Sequence, residues 1–129
     1  MSVQALAKGV RMSHRKTGVV ANLVRGRSVA DALIILENTP RRSADVVARV
    51  IKSAEANALH NHNYKPNTLR ITEITVTPGP RLKRIRPAAR GSALRFQRKS
   101  SHIRVKVDGE IREVKKPSKK TVTTKKEAK

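Results

Sequence analysis

The chain has 129 residues, 30 of them Lys or Arg against 9 Asp or Glu, giving a formal net charge of +21. That length holds one modest domain with a core, while that charge disfavours the compact state until polyphosphate neutralises it and releases counterions. There is no Cys, hence no disulfide framework or thiolate metal site, and an aromatic content of 2% argues against a module that stacks successive bases on aromatic side chains.

No stretch is apolar and long enough to span a bilayer, and no amphipathic helix carries Trp or Phe, so no membrane partner is expected. Met1–Val10 lacks the apolar run of a signal peptide. A reducing, cytoplasmic setting is the expectation.

Val3, Ala5 and Ala7 alternate with their neighbours, which predicts a short strand over Val3–Lys8. Ser13 reads as the N-cap of a first helix, His14 to Arg25, with Gly26 at its C′ position and Val20, Leu23 and Val24 as its apolar face. Ser28 caps a second, short helix, with Asp31 at the capping-box position; Ala32, Leu33, Ile35 and Leu36 make it the most apolar element. Thr39-Pro40 reads as a further start signal. The third helix runs from there to about Asn61, with Ala44, Val47, Val50, Ile51, Ala54 and Ala58 on one stripe. So many Ala on that stripe imply close approach to a sheet or helix.

Asn61 to Asn67, containing Pro66, is a connecting loop. Leu69–Thr77 is a strand whose apolar phase slips between Ile71 and Ile74, the signature of a bulge. A last strand carries Ile103, Val105 and Val107 in alternation with Arg104 and Lys106. The resulting order is β-α-α-α-β-β, an α+β fold with three helices packed on a small sheet. The expected division is one domain over 1–114 and a basic Lys/Thr-rich tail over 115–129 that buries too little to fold alone. The core is expected in Leu33, Ile35, Val47, Val50, Ile51, Ile74, Val76, Ile103 and Val105.

Between the last two strands, from Arg81 to Lys99, stand eight basic residues and no acidic one: Arg81, Lys83, Arg84, Arg86, Arg90, Arg95, Arg98 and Lys99. Leu82, Ile85, Leu94 and Phe96 are too few and too scattered to bury that stretch. Pro87 and Gly91 bracket a turn near Ala89, so the segment reads as a long hairpin arm over about 78–101, reaching tens of ångströms. A solvated charged loop is the bland alternative, but uncompensated charge flanked by two strand signals fits nucleic acid better.

The four histidines, His14, His60, His62 and His102, have no carboxylate or thiolate placed to serve them, so no catalytic residue, no metal ligand and no cofactor is expected. The helix cations Arg11, Arg15, Lys16, Arg25, Arg27, Arg41, Arg42, Arg49 and Lys52 are equally readable as a solvated face. Arg41-Arg42 near a helix N-terminus opposes the macrodipole, which favours phosphate contact there.

The residues also match a family. Lys83-Arg84-Ile85, Pro87, Gly91 and Ala93, followed by Ser101-His102-Ile103, Val105 and Val107, resemble the C-terminal signature of the universal large-subunit ribosomal protein twenty-two family. Ala7, Arg11, Ser13 and Lys16, then Val24-Arg25-Gly26, then Ser53-Ala54 with Asn57-Ala58 and Asn61, agree in the N-terminal half. The resemblance covers about Ala5 to Val107. Ala88 and Ser92 stand where relatives usually carry Arg, and Phe96 where they carry an aliphatic residue.

The resemblance implies a structural constituent of the large ribosomal subunit that contacts several domains of 23S-type rRNA and joins assembly early. Its globular part would lie near the polypeptide exit and its hairpin would line the tunnel, close to where macrolides bind. With the charge argument, it implies rRNA contacts at Arg11, Ser13, Lys16, Arg25, Arg41, Arg42, Arg81, Lys83, Arg84, Arg86, Arg90, Arg95, Arg98, Lys99, Ser101 and His102. The tunnel tip would be Lys83, Arg84, Ile85, Arg86, Pro87, Ala88, Ala89, Arg90, Gly91 and Ser92. Partners are then 23S rRNA, neighbouring ribosomal proteins and the nascent polypeptide, with the chain monomeric in the ribosome. The rival from another class is a DNA-architectural protein with basic β-arms and Pro87 as wedge. Such proteins usually pair their arms as dimers, and no strongly apolar face remains here for a large dimer interface.

Overall fold

The computed structural model describes residues 2–112; the expected basic tail over 115–129 lies outside them. The chain runs β1 (Val3–Val10), α1 (His14–Val24), α2 (Val29–Glu37), α3 (Arg42–His62), β2 (Arg70–Pro87) and β3 (Ala93–Asp108). Short 3-10 turns occupy Pro66–Thr68 and Ala89–Gly91. The three strands form one antiparallel sheet in the order β1-β3-β2. This is the α+β order that the sequence implies.

The core lies between one face of the sheet and the helices. β3 turns Ile103, Val105 and Val107 inward, β1 adds Val3 and Ala5, and β2 adds Ile71 and Ile74, all buried. α3 lies across β1 and β3, α1 on β2, and α2 on α3. The α3 stripe of Ala44, Val47, Val50, Ile51, Ala54 and Ala58 is buried along its length. Its four-residue repeats of Ala and Val let the helix axis come close to the sheet. Ile51, wholly inaccessible, fills the middle, and cutting it to Ala would cost about 2–5 kcal/mol.

Local chemistry sets the helix ends. Val24 to Arg27 make a type II turn, with Gly26 at φ +76° supplying the positive φ and the Arg27 N–H donating to the Val24 carbonyl. The Gly26 N–H then crosses to the Ile71 carbonyl and ties α1 to β2. At α2, the Ser28 Oγ accepts from the Asp31 N–H and donates to its carboxylate at 2.7 Å. Asp31, shorter than the usual Glu, meets the capping hydroxyl itself. α3 ends at Asn63, which takes the left-handed conformation at φ 52°.

Four expectations are corrected. Thr39-Pro40 does not start α3: the Thr39 hydroxyl donates to the Ile35 carbonyl and so closes α2, and α3 begins two residues later with Arg41 as N-cap. Leu33 and Ile35 are half-buried, because α2 presents Val29, Ala32 and Leu36 to α3. Val76 is likewise half-buried, at the point where the core ends. On α1 the buried face is Thr17, Val20, Ala21 and Val24, with Leu23 exposed.

Candidate nucleic-acid interface

β2 carries two irregularities, and together they build the arm. The first lies between Ile71 and Glu73, at the phase slip read in the sequence, and brings Ile74 and Val76 to the inner face. The second lies between Pro78 and Arg81, where Gly79 and Pro80 together oppose Ser100. The second bulge returns Arg81, Lys83 and Ile85 to that same face. Beyond it the helices no longer cover the sheet, and the two strands continue alone from Arg81↔Lys99 to Pro87↔Ala93. At ~3.3 Å per residue the projecting part is about 20–30 Å long.

The turn falls where Pro87 and Gly91 bracket it. Arg90 and Gly91 both take positive φ, 57° and 70°, and the Ala88 N–H donates to the Ser92 carbonyl. The three residues Ala89–Gly91 thus reverse the chain in a narrow tip, from which Arg90 projects.

Alternation splits the arm into two faces. One carries Arg81, Lys83, Ile85, Arg95, Gln97 and Lys99, and the other Leu82, Arg84, Arg86, Leu94, Phe96 and Arg98. All eight cations from Arg81 to Lys99 are exposed. None forms a salt bridge among the described residues; ion pairs there include Arg49–Asp45, Lys65–Glu110 and Lys106–Glu73. Eight uncompensated charges on a two-stranded ribbon repel one another, and an external polyanion relieves that repulsion.

At the base of the arm the N-terminal ends of α1 and α3 meet its helix-side face. Arg11, Ser13, Lys16, Arg41, Arg42, Gln97 and Lys99 line one open concavity. Neither Ser13 nor Arg41 caps its helix with its side chain; the Lys16 and Ala44 N–H groups donate to the Ser13 and Arg41 carbonyls, and the N–H groups ahead of them face the concavity without a side-chain cap. N–H groups, the positive ends of two helix dipoles and five cations give this surface the chemistry that suits an anion. The sequence marked Arg41-Arg42 by their conflict with the helix dipole and the others through charge and the resemblance, without showing that they meet, and Gln97 carried no signal of its own.

Other expected contacts lie elsewhere. Arg25, at the far end of α1, donates from Nη2 to the Ile74 carbonyl, so the structure uses it to hold α1 on β2. His102 is half-buried, and its Nδ1 accepts from the Gly9 N–H at 3.0 Å, holding the irregular end of β1. Ser101 is corrected: it is wholly buried, in phase with Ile103 and Val105, and its Oγ has no hydrogen-bond partner among the described residues. An inaccessible hydroxyl makes no contact with RNA.

The open face of the sheet, opposite the helices, was not singled out in the sequence. Lys8, Thr75, Thr77, His102 and Arg104 line a shallow depression there. Its signal was the polar half of the β3 alternation, Arg104 and Lys106. Glu73 on this face pairs with Lys106 at 2.7 Å and accepts from the Thr75 hydroxyl, and these hydrogen bonds hold its carboxyl below the usual range. At the opposite end of the domain, burial first and the Asp108 carboxylate second push the Tyr64 phenol above its ordinary value. Among the described residues no three His, Asp or Glu side chains gather as metal ligands, and no helix is long and apolar enough to cross a membrane.

Residues 5–108 match the family model described as ribosomal protein L22p/L17e. The chain is 48% identical over 112 residues to the large ribosomal subunit protein uL22 of Herpetosiphon aurantiacus, covering 86% of this chain and 99% of that one. It is 48% identical over 103 residues to uL22 of Clostridium perfringens, covering 80% and 93% of the two chains. With uL22 of Clostridioides difficile it shares 46% over 107 residues, 83% and 96% of the two lengths.

Proposed function

The chain belongs to the ribosomal protein L22p/L17e family and is a structural constituent of the large ribosomal subunit, not an enzyme; we propose that it works there by laying its basic arm against 23S-type rRNA. In this reading the arm cations neutralise phosphates where several RNA domains converge, and the concavity at its base grips a further backbone segment. The tip, Lys83–Ser92, lines the nascent-peptide tunnel, with the small residues Ala88, Ala89, Gly91 and Ser92 fitting a narrow space. The globular part sits near the polypeptide exit beside neighbouring ribosomal proteins. The chain acts as a monomer and helps early subunit assembly by tying RNA segments together.

One observation carries this reading: eight exposed cations, without ion-pair partners among the described residues, on a ribbon that leaves the core at Pro78 and continues into the cationic concavity below. RNA neutralising that strip would also hold an arm whose own apolar side chains are too exposed to fix it. Co-sedimentation tests it. The protein should travel with large subunits and stay through a moderate-salt wash, and chemical probing should show rRNA protections lost when Arg81–Lys99 is removed. Retention with unchanged protections after arm removal would overturn the arm's role.

A further inference from the structure

The chain's only Phe stands on the arm, not in the core. Phe96 lies on the face opposite the helices, with Arg84 directly across, Leu94 and Arg98 beside it on its own strand, and Leu82 and Arg86 on the diagonals. From the tip side the Arg86 guanidinium lies over the ring, 5.4 Å from its centroid. With Leu82 and Arg98 on the base side and Arg84 across from it, the ring opens into a groove whose lining also reaches Arg11 and Lys99, which it shares with the helix-side concavity. The domain's fold makes no use of this ring, since the core ends at the level of Ser101. We propose that the groove is a base-binding site, in which one unpaired RNA base stacks on Phe96 against Leu82 while its flanking phosphates meet Arg84 and Arg98.

The chemistry favours a nucleotide over an apolar peptide side chain. A peptide side chain would satisfy Phe96 and Leu82 but leave Arg84, Arg98, Arg11 and Lys99 without counter-charge. A nucleotide supplies a π-face for the ring and phosphates for the rim together. Arg86 on the other side extends the stack with its planar guanidinium. The site rests on the rRNA reading above and adds a contact that does not depend on charge.

The test compares the full chain with Phe96→Leu and Phe96→Trp in binding to in vitro transcribed large-subunit rRNA across a salt series. Phe96→Leu keeps apolar volume and removes the ring, so affinity should fall about 5-fold to 100-fold with an unchanged slope of log K on log salt. Phe96→Trp should bind as the parent does. Chemical probing should find one unpaired base protected by the parent and by Phe96→Trp but not by Phe96→Leu. Parental affinity in Phe96→Leu, with salt-dependent binding intact, would overturn the stacking site alone. Absence of salt-dependent binding by the parent would overturn the rRNA reading itself. A photo-crosslinker at position 96 in assembled subunits should capture RNA, and capture of polypeptide only would also overturn the site.

Discussion

A Cβ on Gly79 would stand 2.6 Å from the Ser100 Oγ, and that Oγ already donates a 2.6 Å hydrogen bond to the Pro80 carbonyl. The two strands therefore lock at the second bulge through a glycine that leaves room and a serine that fills it. The Ser100 carbonyl carbon, 3.3 Å from the same point, limits any retreat of the backbone. The contact lies where the three-stranded sheet gives way to the two-stranded arm.

Gly79→Ala should therefore destabilise the domain by about 1–3 kcal/mol through overpacking. Ser100→Ala removes one hydrogen bond, at about 1 kcal/mol. The two changes together should cost less than their sum, because the serine's absence relieves the clash that the alanine creates. Denaturant melts of the four proteins read this directly, and strict additivity would show that the contact does not decide the geometry.

How much of this was legible varies with what marks the phase of each element. The α3 stripe was readable because apolar residues occupy one face only, and the first bulge because Ile71 and Ile74 flank it. The second bulge had no such mark, since Gly79 and Pro80 are followed by cations on both faces. α2 was unreadable for the opposite reason: in Leu33-Ile34-Ile35-Leu36 all sides are apolar, so burial was decided by its contact with α3. Thr39 offered its hydroxyl to two helices, and the sequence has no means of choosing between them. For Ser101 the alternation with Ile103 and Val105 did point inward, and only the resemblance suggested otherwise. The arm cations, in contrast, were legible as an exposed cluster because eight charges without an acid have no use within a core, and all eight stand at the surface.

Phosphate contact at the base of the arm makes a prediction about slope rather than affinity alone. If the protein neutralises roughly six phosphates, log K should fall with log salt at a slope near −4 to −5. Replacing both Arg41 and Arg42 with Ala should reduce that slope by about 1–2. Arg49→Ala on the same helix should leave it unchanged, because Arg49 is already paired with Asp45 at 2.7 Å. Equal loss from both substitutions would mean general surface charge, not the concavity, drives binding.

The Glu73–Lys106 pair gives the sheet a pH dependence of known sign. Glu73 has its pKa depressed in the folded state, chiefly by the Lys106 hydrogen bond and then by Thr75. The pair's contribution is thus present above the ordinary carboxylate value and lost as pH falls through the folded value. Glu73→Gln should lower the melting temperature at neutral pH and make little difference once the carboxyl is protonated in both states. A gap that stays constant down to strongly acid pH would exclude the pair as its source.

Fold and arm should separate cleanly. Deleting Leu82–Arg98 and joining Arg81 to Lys99 through Asn-Gly uses a pair that already faces across the ribbon, so a two-residue turn suits the register. The core residues Ile51, Ile71, Ile74, Ile103, Val105 and Val107 all lie outside the deleted stretch, while Leu82, Ile85 and Leu94 are exposed. Circular dichroism should show the helices intact, and loss of helical signal would mean that the arm supports the domain. Cells carrying the shortened protein should still build some large subunits, since the concavity keeps Arg11, Lys16, Arg41, Arg42 and Lys99. On the proposed tunnel placement their macrolide response should change, because a tip at Lys83–Ser92 would be missing from the tunnel wall. An unchanged response in ribosomes shown to contain the shortened protein would remove that tip from the tunnel constriction, while leaving the phosphate contacts at the base of the arm to stand on their own test.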